Sequence, residues 1–155
     1  MENKSKLQFM KLEFKKIDET ATLPSYAKPG DAGMDVRTTI QQPITLQPLE
    51  RYLFPTGLCA NIPEGYEIQV RPRSGLALKY GVTVLNTPGT IDSGYKDEIK
   101  VILVNLSNTP YTVEPGERIA QFVVGKLVED VNSVEVSEID TTNDRGGGFG
   151  HSGKF

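Results

Sequence analysis

Hydrophobic and polar positions alternate along much of this chain with a period of two. Met10, Leu12 and Phe14 are separated by Lys11 and Glu13, and Tyr66, Ile68 and Val70 by Glu67 and Gln69. Leu58, Ala60 and Ile62 keep the same spacing, and residues 82–85, 99–106 and 119–124 are β-branched or mixed apolar runs. Alternation sends successive side chains to opposite faces, so these segments predict short strands with one buried face. The chain's 15 glycines and 10 prolines interrupt them at short intervals. Such turn-rich spacing is that of a sandwich, jelly roll or barrel. One short helix is expected, with Ser74 as its N-cap, Leu76 to Lys79 as its turn and Gly81 as its stop. From about Val131 the alternation fades, and the end of the chain is glycine-rich. The expected division is therefore a single β domain over 1–130 and a flexible C-terminal arm over 131–155.

At 155 residues, 37% of them hydrophobic, the chain can bury a core of ordinary size. No run approaches the ~20 apolar residues that a membrane-spanning helix needs, and the N-terminus lacks the apolar stretch of a signal peptide. The lone Cys59 excludes an internal disulfide and, within the apolar run Leu58-Cys59-Ala60, is expected in the core. These features point to a cytoplasmic protein without a membrane partner. With one cysteine and one histidine, His151, a zinc site is not expected. The net charge of −3 also disfavours nucleic acid as a partner. A small anion is not excluded, because local arginines and backbone N–H groups decide that binding.

Five segments carry candidate chemistry. In the tail, glycine N–H groups can wrap an anion, Arg145 can bind phosphate bidentately and Phe149 can stack on a base. The same composition fits a solvated end. Gly148-Phe-Gly-His-Ser-Gly-Lys-Phe155 comes close to a Walker phosphate loop, but Phe155 stands where Ser or Thr must hold the metal. Arg71, Arg73 and Ser74 gather at the junction of a strand and the helix, where free N–H groups and the dipole favour phosphate. Asn86 to Tyr95 reads as a hairpin with an irregular polar tip, and Asn86 and Asp92 are also ordinary turn residues. Asp35 lies at the entry to an expected strand. Gln121 places an amide inside an apolar run, where it needs a partner, a ligand or an interface.

In this order and spacing, the five segments resemble the signature motifs of the homotrimeric dUTPases. Ala32-Gly-Met-Asp35, Pro72-Arg-Ser-Gly75, Gly89-Thr-Ile-Asp-Ser-Gly-Tyr95, Gly116-Glu-Arg-Ile-Ala-Gln121 and the tail are similar to the first through fifth motifs. The resemblance implies an all-β, jelly-roll-like β-barrel of the dUTPase type, assembled as a homotrimer with sites shared between subunits. It further implies hydrolysis of dUTP to dUMP and pyrophosphate with Mg²⁺, limiting uracil in DNA and supplying dUMP for dTMP synthesis. Asp92 would activate the water that attacks the α-phosphorus, and Asp35 would hold Mg²⁺ through coordinated water. Arg73, Ser74, Gly75 and Gln121 would bind phosphates. Asn86 would pair with uracil, and Tyr95 would press on the deoxyribose. From the tail, Arg145 would grip the γ-phosphate, Phe149 would cover the base, and Ser152 and Gly153 would add phosphate contacts.

Two features depart from the family pattern. Lys96-Asp97 follows Tyr95 where a basic residue and then glycine are usual, and three residues instead of four separate Arg145 from Phe149. His151 is assigned no catalytic role. Two alternatives are a dCTP deaminase of the same fold and a binding or signalling module built on it. The deaminase typically pairs serines in the second motif, whereas Gly75 follows Ser74 here.

Overall fold

The computed structural model describes residues 10–128 and 131–148. In chain order the strands are β1 (Glu13–Lys16), β2 (Ser25–Tyr26), β3 (Gly33–Arg37), β4 (Ile44–Leu46), β5 (Arg51–Pro55), β6 (Leu58–Asn61) and β7 (Tyr66–Arg71). Helix α1 (Ser74–Tyr80) follows, then β8 (Val82–Val84), β9 (Gly89–Ile91), β10 (Lys100–Asn105), β11 (Tyr111–Val113) and β12 (Arg118–Lys126). Among the described residues, the predominance of strands and the single short helix agree with the sequence expectation.

All the ladders are antiparallel. They form a five-stranded sheet in the order β2-β3-β12-β7-β9, a three-stranded sheet β5-β10-β8, and the pairs β1-β6 and β11-β4. Among the described residues the ladders form separate sheets around the core and do not close into one hydrogen-bonded cylinder.

The period of two is realised at the core. Met34 and Val36 of β3, Ile68 and Val70 of β7, Val82 and Val84 of β8, and Ala120 and Phe122 of β12 are all buried. Phe14 stacks on Phe122 with 6.4 Å between ring centroids, which ties β1 to the five-stranded sheet. Cys59 is half-buried and does not join the core as expected, because alternation turns it away from the buried Leu58 and Ala60. Asn105 is a buried polar exception on β10. Its amide N–H groups donate to the carbonyls of Leu46 and Thr109, and its Oδ1 accepts from Ser107 N and Oγ. Every polar group of that side chain is therefore used, between Leu46 of β4 and the turn that follows β10.

The helix differs from expectation at its start. Arg73, with φ −87° and ψ 127°, occupies the N-cap position without a side-chain cap bond, and Ser74 lies inside the first turn. Gly81 does end the helix, in the left-handed region at φ 66°. A Cβ there would also stand 2.9 Å from Ser107 Cβ, so glycine is required for space as well as conformation.

The segment expected to form a hairpin is built differently. β8 pairs with β10, whereas β9 pairs with β7 in another sheet. Residues 85–95 thus run turn, strand, turn across the gap between two sheets. Beyond β12, residues 131–148 contain no strand or helix and are exposed throughout.

Candidate functional site

Asp35 is flanked along β3 by the buried Met34 and Val36, so its carboxylate emerges on the outer face of the five-stranded sheet. Two guanidiniums meet it there, Arg118 Nη1 at 3.0 Å and Arg73 Nε at 3.5 Å. Gln121, directly opposite on β12, brings Nε2 within 3.5 Å of Asp35 Oδ1. Arg73 also donates to the Arg118 carbonyl at 2.9 Å. One carboxylate and two cations leave a local surplus of positive charge, the arrangement that attracts phosphate. Gly33 leaves the space Gln121 occupies, since a Cβ on Gly33 would lie 3.2 Å from Gln121 Cδ. Ser74 and Gly75 are exposed beside this cluster at the start of α1.

Arg118 is the functional candidate missed in the sequence. Residues 118 and 121 are separated by an odd number, and strict alternation sends them to opposite faces. A register shift in β12 between Arg118 and Ala120 brings them to the same side. The irregularity leaves a trace in burial, because the adjacent Ile119 and Ala120 are both buried. Upstream, the Tyr111 hydroxyl donates to Glu117, whose other oxygen accepts the Glu114 N–H at 2.9 Å. Burial first, then the Glu117 carboxylate, pushes the Tyr111 phenol well above its usual ionisation range. The Tyr80 ring packs 4.8 Å from that of Tyr111, so the end of α1 and the turn leading to Arg118 are fixed together.

A second group gathers on the turn–strand–turn segment. Gly89 is tucked against β7, where a Cβ would meet Val70 Cβ at 3.1 Å and Asn86 Nδ2 at 3.4 Å. Asn86 and Asp92 are exposed on either side of β9. The Tyr95 N–H donates to the Asp92 carbonyl at 3.0 Å, closing a turn, and the Tyr95 hydroxyl donates to the Glu98 carbonyl at 2.8 Å. A cavity of about 410 Å³ lies beside this turn, lined by Leu53, Ile91, Tyr95, Asp97, Glu98, Lys100 and Ile102.

The Asp35 cluster and the Asp92 turn lie toward opposite ends of β7. Gln121 is level with Arg71, whereas Ile91, the neighbour of Asp92, is level with Ile68. The strand rise puts about 10–13 Å between Arg71 and the Asp92 end. Asp35, Arg73 and Gln121 are therefore brought together within one chain, as are Asp92 and Tyr95. Asn86 lies at the other end of β9, beside Gly89, and the Asp92 turn does not meet the Asp35 cluster. Arg145 lies in the exposed arm, directly before Gly146 and Gly147, whose φ angles are 68° and 66°. Phe149, Ser152 and Gly153 fall outside the described residues.

Comparison with known proteins accounts for nearly the whole chain. The dUTPase family model matches residues 19–153. The deoxyuridine 5'-triphosphate nucleotidohydrolase of Fusobacterium nucleatum is 61% identical over 137 residues, covering 88% of this chain and 93% of that protein. The enzyme of the same name from Chlamydia pneumoniae is 52% identical, covering 90% and 97%. Among solved structures, the dUTPase of Staphylococcus bacteriophage 80alpha with dUPNHPP superposes with a TM-score of 0.81 at 26% identity, covering 93% of this chain and 99% of that one. The strand architecture, the ordered motifs and these matches lead to one conclusion: the chain belongs to the dUTPase family.

Proposed function

We propose that the chain hydrolyses dUTP to dUMP and pyrophosphate, the substrate that the names of its relatives carry. The observation that carries this reading is the Asp35 cluster, in which Arg73 and Arg118 converge on one carboxylate with Gln121 alongside. Arg73, Ser74, Gly75 and Gln121 bind phosphate oxygens there. The Arg73–Asp35 contact is long at 3.5 Å, so exchanging it for a phosphate contact costs little. Asp92 accepts a proton from the water that attacks the α-phosphorus. As the new P–O bond forms, the bond from the α-phosphorus to the bridging oxygen breaks and pyrophosphate leaves. Asn86 pairs with the uracil edge, and Tyr95 packs on the deoxyribose.

Mg²⁺ fits this donor set as a hydrated ion. Among the described residues no three His, Cys, Asp or Glu side chains gather into a cage. An ion that keeps several waters needs only one or two carboxylates beside the substrate's phosphates, and Asp35 can serve in that way. Bound with the triphosphate, the ion would neutralise phosphate charge. The protein's own contribution is to position and surround the reacting groups. The metal also has a parallel among neighbours, since a structural Mg(II) ion is described for the dUTPase of phage phi11 of S. aureus.

The site is read as shared in a homotrimer. Separation of the two residue sets along β7 supports this, and so does the arm, where Val131, Val134, Val136 and Ile139 remain between 55% and 77% exposed. A neighbouring subunit would cover such apolar positions. The arm over 131–155 would close across the neighbour's site, Arg145 on the γ-phosphate and Phe149 on the base, with Ser152 and Gly153 adding phosphate contacts. Closure excludes water and strengthens each polar contact. The consequences in the cell are less dUTP for DNA synthesis and a supply of dUMP for dTMP synthesis. We place this reaction in the cytoplasm, where the free thiol of Cys59 stays reduced. No described helix is long and apolar enough to cross a membrane.

The deciding experiment incubates purified protein and Mg²⁺ with dUTP, dTTP, dCTP and UTP. Pyrophosphate is expected from dUTP alone. Equal turnover of all four overturns the specificity, and ammonia released from dCTP identifies a deaminase instead.

A further inference from the structure

We propose that Lys96 is a positioning residue for Asp92, clamping the turn that carries it to the end of β6; the role rests on reading Asp92 as the catalytic base. Lys96 Nζ donates to the Ser93 carbonyl at 2.7 Å and to Asn61 Oδ1 at 3.1 Å. Asn61 in turn donates from Nδ2 to Glu13 Oε2 at 2.9 Å, its partner in the β1–β6 ladder. Glu13 Oε1 is paired with Lys11 at 2.7 Å. The Lys11 hydrogen bond, followed by that from Asn61, holds the Glu13 carboxyl below its usual range, so it stays ionised at the foot of this chain of contacts. Two of the three ammonium donors of Lys96 are thus committed to the turn and its support.

The other end of the loop has its own anchors. Gly57 N donates to Glu98 Oε1 at 2.9 Å, the Tyr95 hydroxyl donates to the Glu98 carbonyl at 2.8 Å, and Ile99 N donates to the Leu58 carbonyl at 2.8 Å. Removing the ammonium would therefore free Ser93 from the end of β6, leaving Asp92 held only through the Ile91 ladder and the Tyr95 N–H, with the rest of the loop in place. A small tilt at Ser93 moves the adjacent carboxylate, and misplacement on the order of 1 Å is enough to cost about a hundredfold in rate. Lys96 and Asn61 are exposed, so their substitution leaves the core intact.

The test measures kcat and KM for dUTP, with thermal melting, in Lys96→Met, Lys96→Arg, Asn61→Leu, the double variant Asn61→Leu/Lys96→Met, and Asp92→Asn. Lys96→Met is expected to lower kcat roughly ten- to a hundredfold with KM held within about twofold and melting unchanged. Lys96→Arg should restore most of kcat, and the double variant should fall no further than Lys96→Met, because both changes cut one connection. Unchanged kcat in Lys96→Met beside an inactive Asp92→Asn overturns the positioning role and leaves the base assignment standing. A raised KM at normal kcat overturns it in favour of direct phosphate binding. A lowered melting temperature that Lys96→Arg does not repair reduces Lys96 to a structural part. An active Asp92→Asn removes the base assignment, and the positioning role falls with it.

Discussion

Arg118 meets Asp35 across β12 and β3, with 3.0 Å between Nη1 and Oδ2, because the register shift between Arg118 and Ala120 turns the guanidinium onto the Asp35 face. Without that shift Arg118 would face away from Gln121, and the cluster would hold a single cation, Arg73. The pair is about half exposed on the arginine side, so its worth to stability is small. In the proposed site its value would lie in keeping a second cation next to the residues assigned to phosphate.

Arg118→Met keeps an apolar stem of similar reach and removes the charge. The expected result is a loss of roughly ten- to a hundredfold in kcat/KM for dUTP, the scale of one charge-assisted hydrogen bond. Chemical denaturation should show less than about 1 kcal/mol of destabilisation. Steady-state kinetics beside a urea melt separates the two, and unaltered kinetics would make the pair purely architectural.

The contrast between Arg118 and Asp35 shows what the sequence made legible. Asp35 sits in a regular strand, and alternation alone predicts its outward direction. Arg118 depends on a bulge, which no residue type in Gly116-Glu-Arg-Ile-Ala-Gln121 announces. The alternating segments around Leu58 and Ile68 and the apolar run around Phe122 are readable because their apolar spacing is local. The short strands β2, β4 and β11 were not, since two or three residues carry too little periodicity to stand out. The segment from Asn86 to Tyr95 had the turn residues of a hairpin, but which sheet each arm joins is a long-range choice that turn chemistry does not encode. Ser74 was misread for a related reason: the N-cap position is set by backbone direction, and Arg73 holds the extended conformation. The likeness of five ordered motifs to one family reached further than any local rule, because order and spacing carry tertiary information.

The C-terminal arm provides a test in which folding and activity separate. Residues 131–148 are exposed and contain no strand or helix, so the described residues lost when the chain ends after Asp144, 145–148, hold no packed element. The truncated protein is expected to melt within ~2 °C of the full chain and keep its sedimentation coefficient class. Its kcat/KM for dUTP should fall by at least about a hundredfold, as Arg145 and the closing contacts are lost. Full activity would reduce the arm to a solvated end.

Tyr111 couples the end of α1 to the turn before Arg118. Tyr111→Phe removes its hydrogen bond to Glu117 and is expected to cost about 1 kcal/mol, less than a fully buried bond to a carboxylate because the site is only partly enclosed. The folded phenol ionises above its usual value of 10.0. The stability this shift contributes is therefore whole below pH 10.0 and erodes as pH rises toward the folded value, since the unfolded chain loses its proton first. Urea melts should show a shallower alkaline decline in the phenylalanine variant than in the parent. Equal slopes would mean that the hydroxyl has no special environment.

Subunit mixing addresses the arrangement of the whole site. Arg73 belongs to the cluster level with Arg71, and Asp92 to the turn at the other end of β7. If one catalytic site takes the phosphate cluster from one subunit and the Asp92 turn from another, two inactive variants must complement each other. An Arg73→Met subunit still offers an intact Asp92 turn, and an Asp92→Asn subunit still offers an intact phosphate cluster. If the chain assembles as the proposed trimer, co-refolding equal amounts lets each site draw its two halves from different chains, so about one site in four would be fully functional. Activity should thus rise from near zero to roughly a quarter of the parent value after mixing, and only when the trimers have been dissociated and reassembled. Mixing without dissociation is the control and should recover nothing. A site built within one chain gives no recovery under either condition, which would overturn sharing.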